Sequence, residues 1–116
     1  MQDIKETLLE RGARYGCFAD HAFICQQIKK AFHHPGWERL ADDQKQALET
    51  IADKIARILN GDPNYIDNWH DIIGYATLVE RRLVGMLPVE ETKLSKMTRM
   101  EMLEREQLEA NRGNKA

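Results

Sequence analysis

Two aspartates, Asp67 and Asp71, stand four residues apart in GDPNYIDNWHDIIGYATL, residues 61–78, which opens as a turn and runs on as a helix. Side chains at i and i+4 share a helix face, so both carboxylates look the same way. Asp67, Asp71, Gly74 and Leu78 line up along the side opposite the main apolar stripe of that helix. A glycine inside a helix costs about 1 kcal/mol relative to alanine, so Gly74 marks the close approach of another backbone or a ligand. The aspartates are therefore expected to face a second groove. Asp67, near the helix start, also complements the helix dipole without any further duty.

The preceding helix, ETIADKIARILNGD (residues 49–62), supplies groups of both signs. Glu49 and Asp53 lie i, i+4 on one flank, and Lys54 and Arg57 border the apolar stripe on the other. Half-buried carboxylates need a counter-charge. Either Lys54 and Arg57 provide it as ion pairs, or Asp67, Asp71, Glu49 and Asp53 share a Mg²⁺, which takes oxygen ligands and serves phosphate chemistry. Under the second reading Lys54 and Arg57 neutralise charge developing on phosphate. Near the chain start, RYG (residues 14–16) places Arg14 and Tyr15 at the mouth of a groove as ligand-binding candidates. His21, His33, His34 and His70 never reach a zinc-like spacing with cysteine or acidic ligands. Cys17 and Cys25 read as small packing residues, and no phosphate-binding, dinucleotide or nucleophile-elbow motif occurs.

These groups must be positioned by helices. No stretch alternates as a strand, and apolar residues recur with helical period. A short first helix is expected over residues 2–11, with Gly12 and Gly16 of RGARYGCF breaking it. A second runs from about Ala19 to His33, ended by the Pro-Gly of HHPGW (residues 33–37). The third, capped by Asp42 or Asp43, carries Leu48, Ile51, Ala52, Ile55, Ile58 and Leu59 as its core face, and Gly61 follows it in a left-handed conformation. The fourth spans roughly 66–86, with Trp69, Ile72, Ile73, Ala76, Val79 and Leu83 inward, and Pro88 closes it. The expected fold is all-α: a compact four-helix-bundle-like domain over residues 1–87, then a charged amphipathic helix or tail over 88–116. The stripe of that tail, Leu94, Met97, Met100 and Leu103, is too thin for a core. It either lies on a partner subunit or frays.

A chain of 116 residues with a formal charge of −2 has one core and no global attraction for nucleic acid or anionic membrane. The charged start MQDIKETLLERG lacks the apolar h-region expected of a signal peptide, and no apolar run approaches the ~20 residues of a membrane span. A cytoplasmic location with reduced thiols is expected.

RYGCF, DKIARILNGD and DNWHDIIGYATL, taken together, resemble a family of small, uncharacterised helical proteins of phages and prophages. Its members carry a YG-aromatic turn, then K-I-A-R, an aspartate some residues on, and D-x-x-G-Y-A. Tyr15, Gly16, Lys54, Arg57, Asp67, Asp71, Gly74 and Tyr75 fall on that pattern, and the likeness covers about residues 11–83. It adds Tyr75 to the ligand-binding candidates and implies a phage setting without implying a reaction. More distantly, the aspartate-bearing helix is similar to the last metal-binding helix of MazG-like nucleoside triphosphate pyrophosphohydrolases. Those all-α, generally oligomeric enzymes gather carboxylates from two helices around Mg²⁺. Their E-x-x-D is here D-x-x-x-D, and their E-E-x-x-E is represented by Glu49 and Asp53 alone. Three expectations follow. The first is a phage-type accessory protein, homodimeric, that binds a host protein or a nucleotide. The second is a Mg²⁺-dependent pyrophosphohydrolase, and the third is a nucleic-acid-binding helical module, disfavoured by the charge balance.

Overall fold

The computed structural model describes residues 3–85 and 93–113, and among them every regular element is helical. Five α-helices follow one another: α1 (Ile4–Tyr15), α2 (Phe18–Lys30), α3 (Asp42–Asn60), α4 (Ile66–Leu83) and α5 (Lys93–Gly113). Two short 3₁₀ turns, Ala31–His33 and Pro35–Arg39, join α2 to α3. The chain divides into two compact units, Met1–Glu80 and Arg81–Ala116.

Local chemistry sets the helix ends. Asp3 caps α1, its carboxylate accepting the Lys5 N–H at 2.7 Å. The helix continues through Gly12 to Tyr15, beyond the expected end at residue 11, and stops where Gly16 takes φ +78°. Only Cys17 then precedes α2, so α1 and α2 form a tight helical hairpin. Ala41, not Asp42 or Asp43, is the N-cap of α3. Its N–H donates to the Gln44 Oε1 at 2.8 Å, while both aspartates sit in the first turn and favour the dipole there. The helix α4 ends at Leu83, ahead of residue 86, with Gly85 at φ +88° just beyond. Pro88 lies outside the described residues.

The buried core of the first unit is built from small side chains. Cys25 of α2 and Ala47, Ala52 and Ala56 of α3 are its buried apolar residues, and Ala56 is fully covered. Alanines let the backbones of α2 and α3 come close, and α1 packs against both. Below them Phe32 and Trp37 stack with centroids 4.8 Å apart, and Lys45 of α3 sits 6.0 Å from the Trp37 ring.

This corrects the expected core. Ile51, Ile58, Ile72 and Val79 are half-buried, whereas Leu48, Ile55 and Leu59 of α3 and Trp69, Ile73, Ala76 and Leu83 of α4 are exposed. The one fully buried residue of α4 is polar, Asn68, at 1 % exposure. Helical period identifies a face that gains from being covered, and within this unit the narrow alanine face of α3 takes the cover instead. Gly74 is corrected as well: nothing lies within 4 Å of where its Cβ would stand. On α5 the side chains of Met97, Met100 and Leu103 are exposed.

Two other glycines do mark close approach. A Cβ on Gly16 would strike the Asn60 backbone carbonyl, and one on Gly61 would strike the Arg14 carbonyl and the Tyr15 backbone. Gly61 has φ −128°, so it is required by that contact and not by the left-handed conformation expected of it. Gly16→Ala and Gly61→Ala should each lose about 1–3 kcal/mol in urea denaturation. Gly74→Ala, with open space and a helical backbone, should gain about 0.5–1 kcal/mol. Equal effects at the three positions would contradict this packing.

Candidate functional site

The α1–α2 turn is fastened to the end of α3. The Asn60 side-chain amide donates to the carbonyls of Tyr15 at 2.8 Å and Cys17 at 2.9 Å. One residue on, past Gly61, the Asp62 N–H donates to the Arg14 carbonyl at 2.8 Å. RYGCF and ILNGD, far apart in the chain, therefore form one joint. Around it Arg57 lies 4.5 Å from the centre of the Tyr15 ring, Tyr15 meets Tyr65 edge to face, and Arg14 stands 5.2 Å from the Tyr65 ring centre.

A cavity of about 430 Å³ opens beside this joint. Leu8, Tyr15, Cys17 and Phe18 give it an apolar wall, and Arg11, His21, Asp53 and Arg57 give it a polar one. Asp53 is the hub: its Oδ1 lies 2.9 Å from His21 Nε2, and its Oδ2 lies 3.3 Å from Arg57 Nε. A carboxylate only accepts, so His21 carries its proton on Nε2. The other ring nitrogen, Nδ1, is buried without a hydrogen-bond partner. Cys17, expected to pack, is exposed; Cys25 is buried as expected.

The four carboxylates expected around Mg²⁺ are placed as follows. Asp71 pairs with Lys54 Nζ at 2.9 Å, Asp67 accepts the Tyr65 hydroxyl at 2.9 Å, and Asp53 serves His21 and Arg57. Glu49 shares only a shallow groove with Asp53, Lys29, Gln46 and Thr50. Among the described residues no three His, Cys, Asp or Glu side chains gather as a metal site would require. Lys54 and Arg57, expected to act together on phosphate, hold different carboxylates. Tyr15 lines the cavity, Arg14 stands beside it on Tyr65, and the half-exposed Tyr75 belongs to neither group. Sequence reasoning passed over His21 and Arg11. His21 was legible only as a lone histidine, because Asp53 lies 32 residues away.

Compared with protein-family models, curated proteins and solved structures, the chain matches none.

Burial makes the Lys54–Asp71 pair asymmetric. The Lys54 side chain is 13 % exposed and that of Asp71 43 %. Removing the carboxylate strands a mostly buried ammonium, whereas removing the ammonium leaves a carboxylate that water can reach. Asp71→Ala should therefore cost on the order of 1–2 kcal/mol and Lys54→Met less than half of that. Thermal and urea melts that reverse this order would contradict the pairing.

The hydrogen bond to Asp67 holds the Tyr65 phenol above its ordinary range, desolvation adds to the shift, and the Arg14 charge opposes it. A raised folded-state pKa means stability present below the ordinary tyrosine value and lost as pH rises through the folded one. In a background where Tyr15 and Tyr75 are phenylalanine, Asp67→Ala should move phenolate formation to lower pH by ultraviolet titration. No movement would show that the hydrogen bond does not govern Tyr65.

Proposed function

We propose that this chain is a non-catalytic accessory protein, of the phage or prophage type its sequence blocks resemble. It acts by docking exposed helical faces onto protein, first onto a second copy of itself. The observation that carries the reading is the Lys54–Asp71 ion pair. It gives the carboxylate deepest in the aspartate helix a protein counter-charge, the arrangement expected of a scaffold and not of a site awaiting Mg²⁺. Several residues on the resembling pattern likewise have structural partners: Arg57 covers Tyr15, Gly16 admits Asn60, and Asp67 receives Tyr65.

The exposed apolar residues supply the docking surface. Leu48, Ile55 and Leu59 fall at i, i+7 and i+11 on α3, and Ile66, Trp69 and Ile73 at i, i+3 and i+7 on α4. Full burial of an aliphatic side chain contributes about 1.5–3 kcal/mol, so covering these half-open residues is a substantial driving force for association. Among the described residues no helix is long and apolar enough to cross a membrane.

Light scattering and sedimentation should show a dimer whose melting temperature rises with protein concentration. Leu59→Asp and Ile73→Asp, at 68 % and 62 % exposure, should dissociate it while leaving the monomer helical. A monomer at all concentrations would defeat the self-docking reading. Pyrophosphate released from nucleoside triphosphates with Mg²⁺, and abolished by Asp71→Ala, would replace it with the hydrolase.

A further inference from the structure

The cavity beside the α1–α2 joint has a chemistry of its own, independent of the docking faces. We propose that it is a binding site for a small phosphate monoester carrying a planar ring.

The argument begins with the charges that face it. Among the described residues Asp53 is its only carboxylate, and both oxygens are engaged, one with His21 and one with Arg57. Its negative charge is thereby held by protein partners. Arg57 makes its ion pair at Nε, which leaves the terminal nitrogens of the guanidinium without a hydrogen bond to any described residue. The Tyr15 ring, centred 4.5 Å from its Cζ, and Asp53 restrain it from two sides. A restrained guanidinium suits a tetrahedral oxyanion, which accepts two parallel N–H bonds. Arg11 lines the same cavity, and its guanidinium pairs with no described residue. Two arginines and one carboxylate leave a single net positive charge in the cavity, with Arg11 as the cation that Asp53 does not hold, and that balance suits an oxyanion.

The rest of the wall suits a ring. Phe18 is 80 % exposed and lies nearly parallel to the His21 imidazole, 22° from coplanar with centroids 6.3 Å apart. With Leu8 and Tyr15 it offers flat apolar surface next to the guanidinium groups. A volume of about 430 Å³ falls within the ordinary range for small-molecule sites, roughly 300–1,000 Å³. Inorganic phosphate would fill the cationic side and leave the apolar wall in water.

Cys17 provides a direct readout, since it lines this cavity and is exposed while Cys25 is buried. The full chain is treated with iodoacetamide, an uncharged reagent, and modification of Cys17 is followed by peptide mass spectrometry. Phenyl phosphate should slow modification of Cys17 saturably, and inorganic phosphate should do so only at clearly higher concentration. Arg11→Ala, a change at an exposed position, should raise the half-protecting concentration of phenyl phosphate at least about 10-fold without lowering the melting temperature. Arg57→Lys, which keeps the charge but loses the fork, should weaken protection as well. No protection by phenyl phosphate would overturn the proposal, as would protection unchanged in Arg11→Ala. Equal protection by inorganic phosphate would overturn the ring-binding half of it.

Discussion

The side-chain amide of Asn60 holds the first unit together at the point where the chain has least redundancy. Its two N–H groups reach the carbonyls of Tyr15 and Cys17, which flank the single sharp turn between α1 and α2. A helix end leaves carbonyls unpaired, and here Asn60 satisfies that of Tyr15 at the end of α1; the Cys17 carbonyl, which already accepts the His21 N–H, takes the second bond. The close fit demands glycine on both sides, Gly16 in the turn and Gly61 after α3. The chemistry around the cavity is organised at that joint. It sets α2 against α3 so that His21 meets Asp53, and it sets Tyr15 under Arg57. Without it, the cavity wall contributed by α1 would have no fixed relation to the wall contributed by α3.

Charge is handled in this protein by distribution. Three aspartates that sequence spacing could have gathered around one cation each have a different neighbour: a lysine, a tyrosine hydroxyl, and a histidine with an arginine. Each arrangement satisfies a carboxylate locally, and the stability any one contributes is modest because most are partly open to water. Their larger effect is on geometry. Asp53 orients two side chains at once, and Lys54 ties α4 to α3 across the loop at residues 61–65.

Apolar surface is handled in the opposite way. Small residues are buried and several large ones are left outside, so the alanines of α3 bring backbones together while Leu48, Ile55 and Leu59 face outward. A core of this kind is close-packed but contributes little hydrophobic free energy for its length. That imbalance is what makes association a natural part of the reading of this chain.

The sequence by itself determined the helices. Their period, the glycines that end them and the Pro-Gly break after α2 are local properties of the chain, and they set each element to within a few residues. It also singled out charged side chains that engage partners in the fold: Asp53, Lys54, Arg57, Asp67 and Asp71. Only the tertiary structure decided who pairs with whom. Lys54 and Arg57 are equally plausible partners for Asp71 on a helical wheel, and the rotation of α3 against α4 chose Lys54. His21 meets Asp53 across 32 residues, a distance no local pattern encodes. The apolar stripe of α3 could be recognised, but not whether this chain covers it, because hydrophobic surface carries no direction of its own. Gly74 and Gly61 show the same limit: both looked exceptional as letters, and contact with another backbone made only Gly61 so.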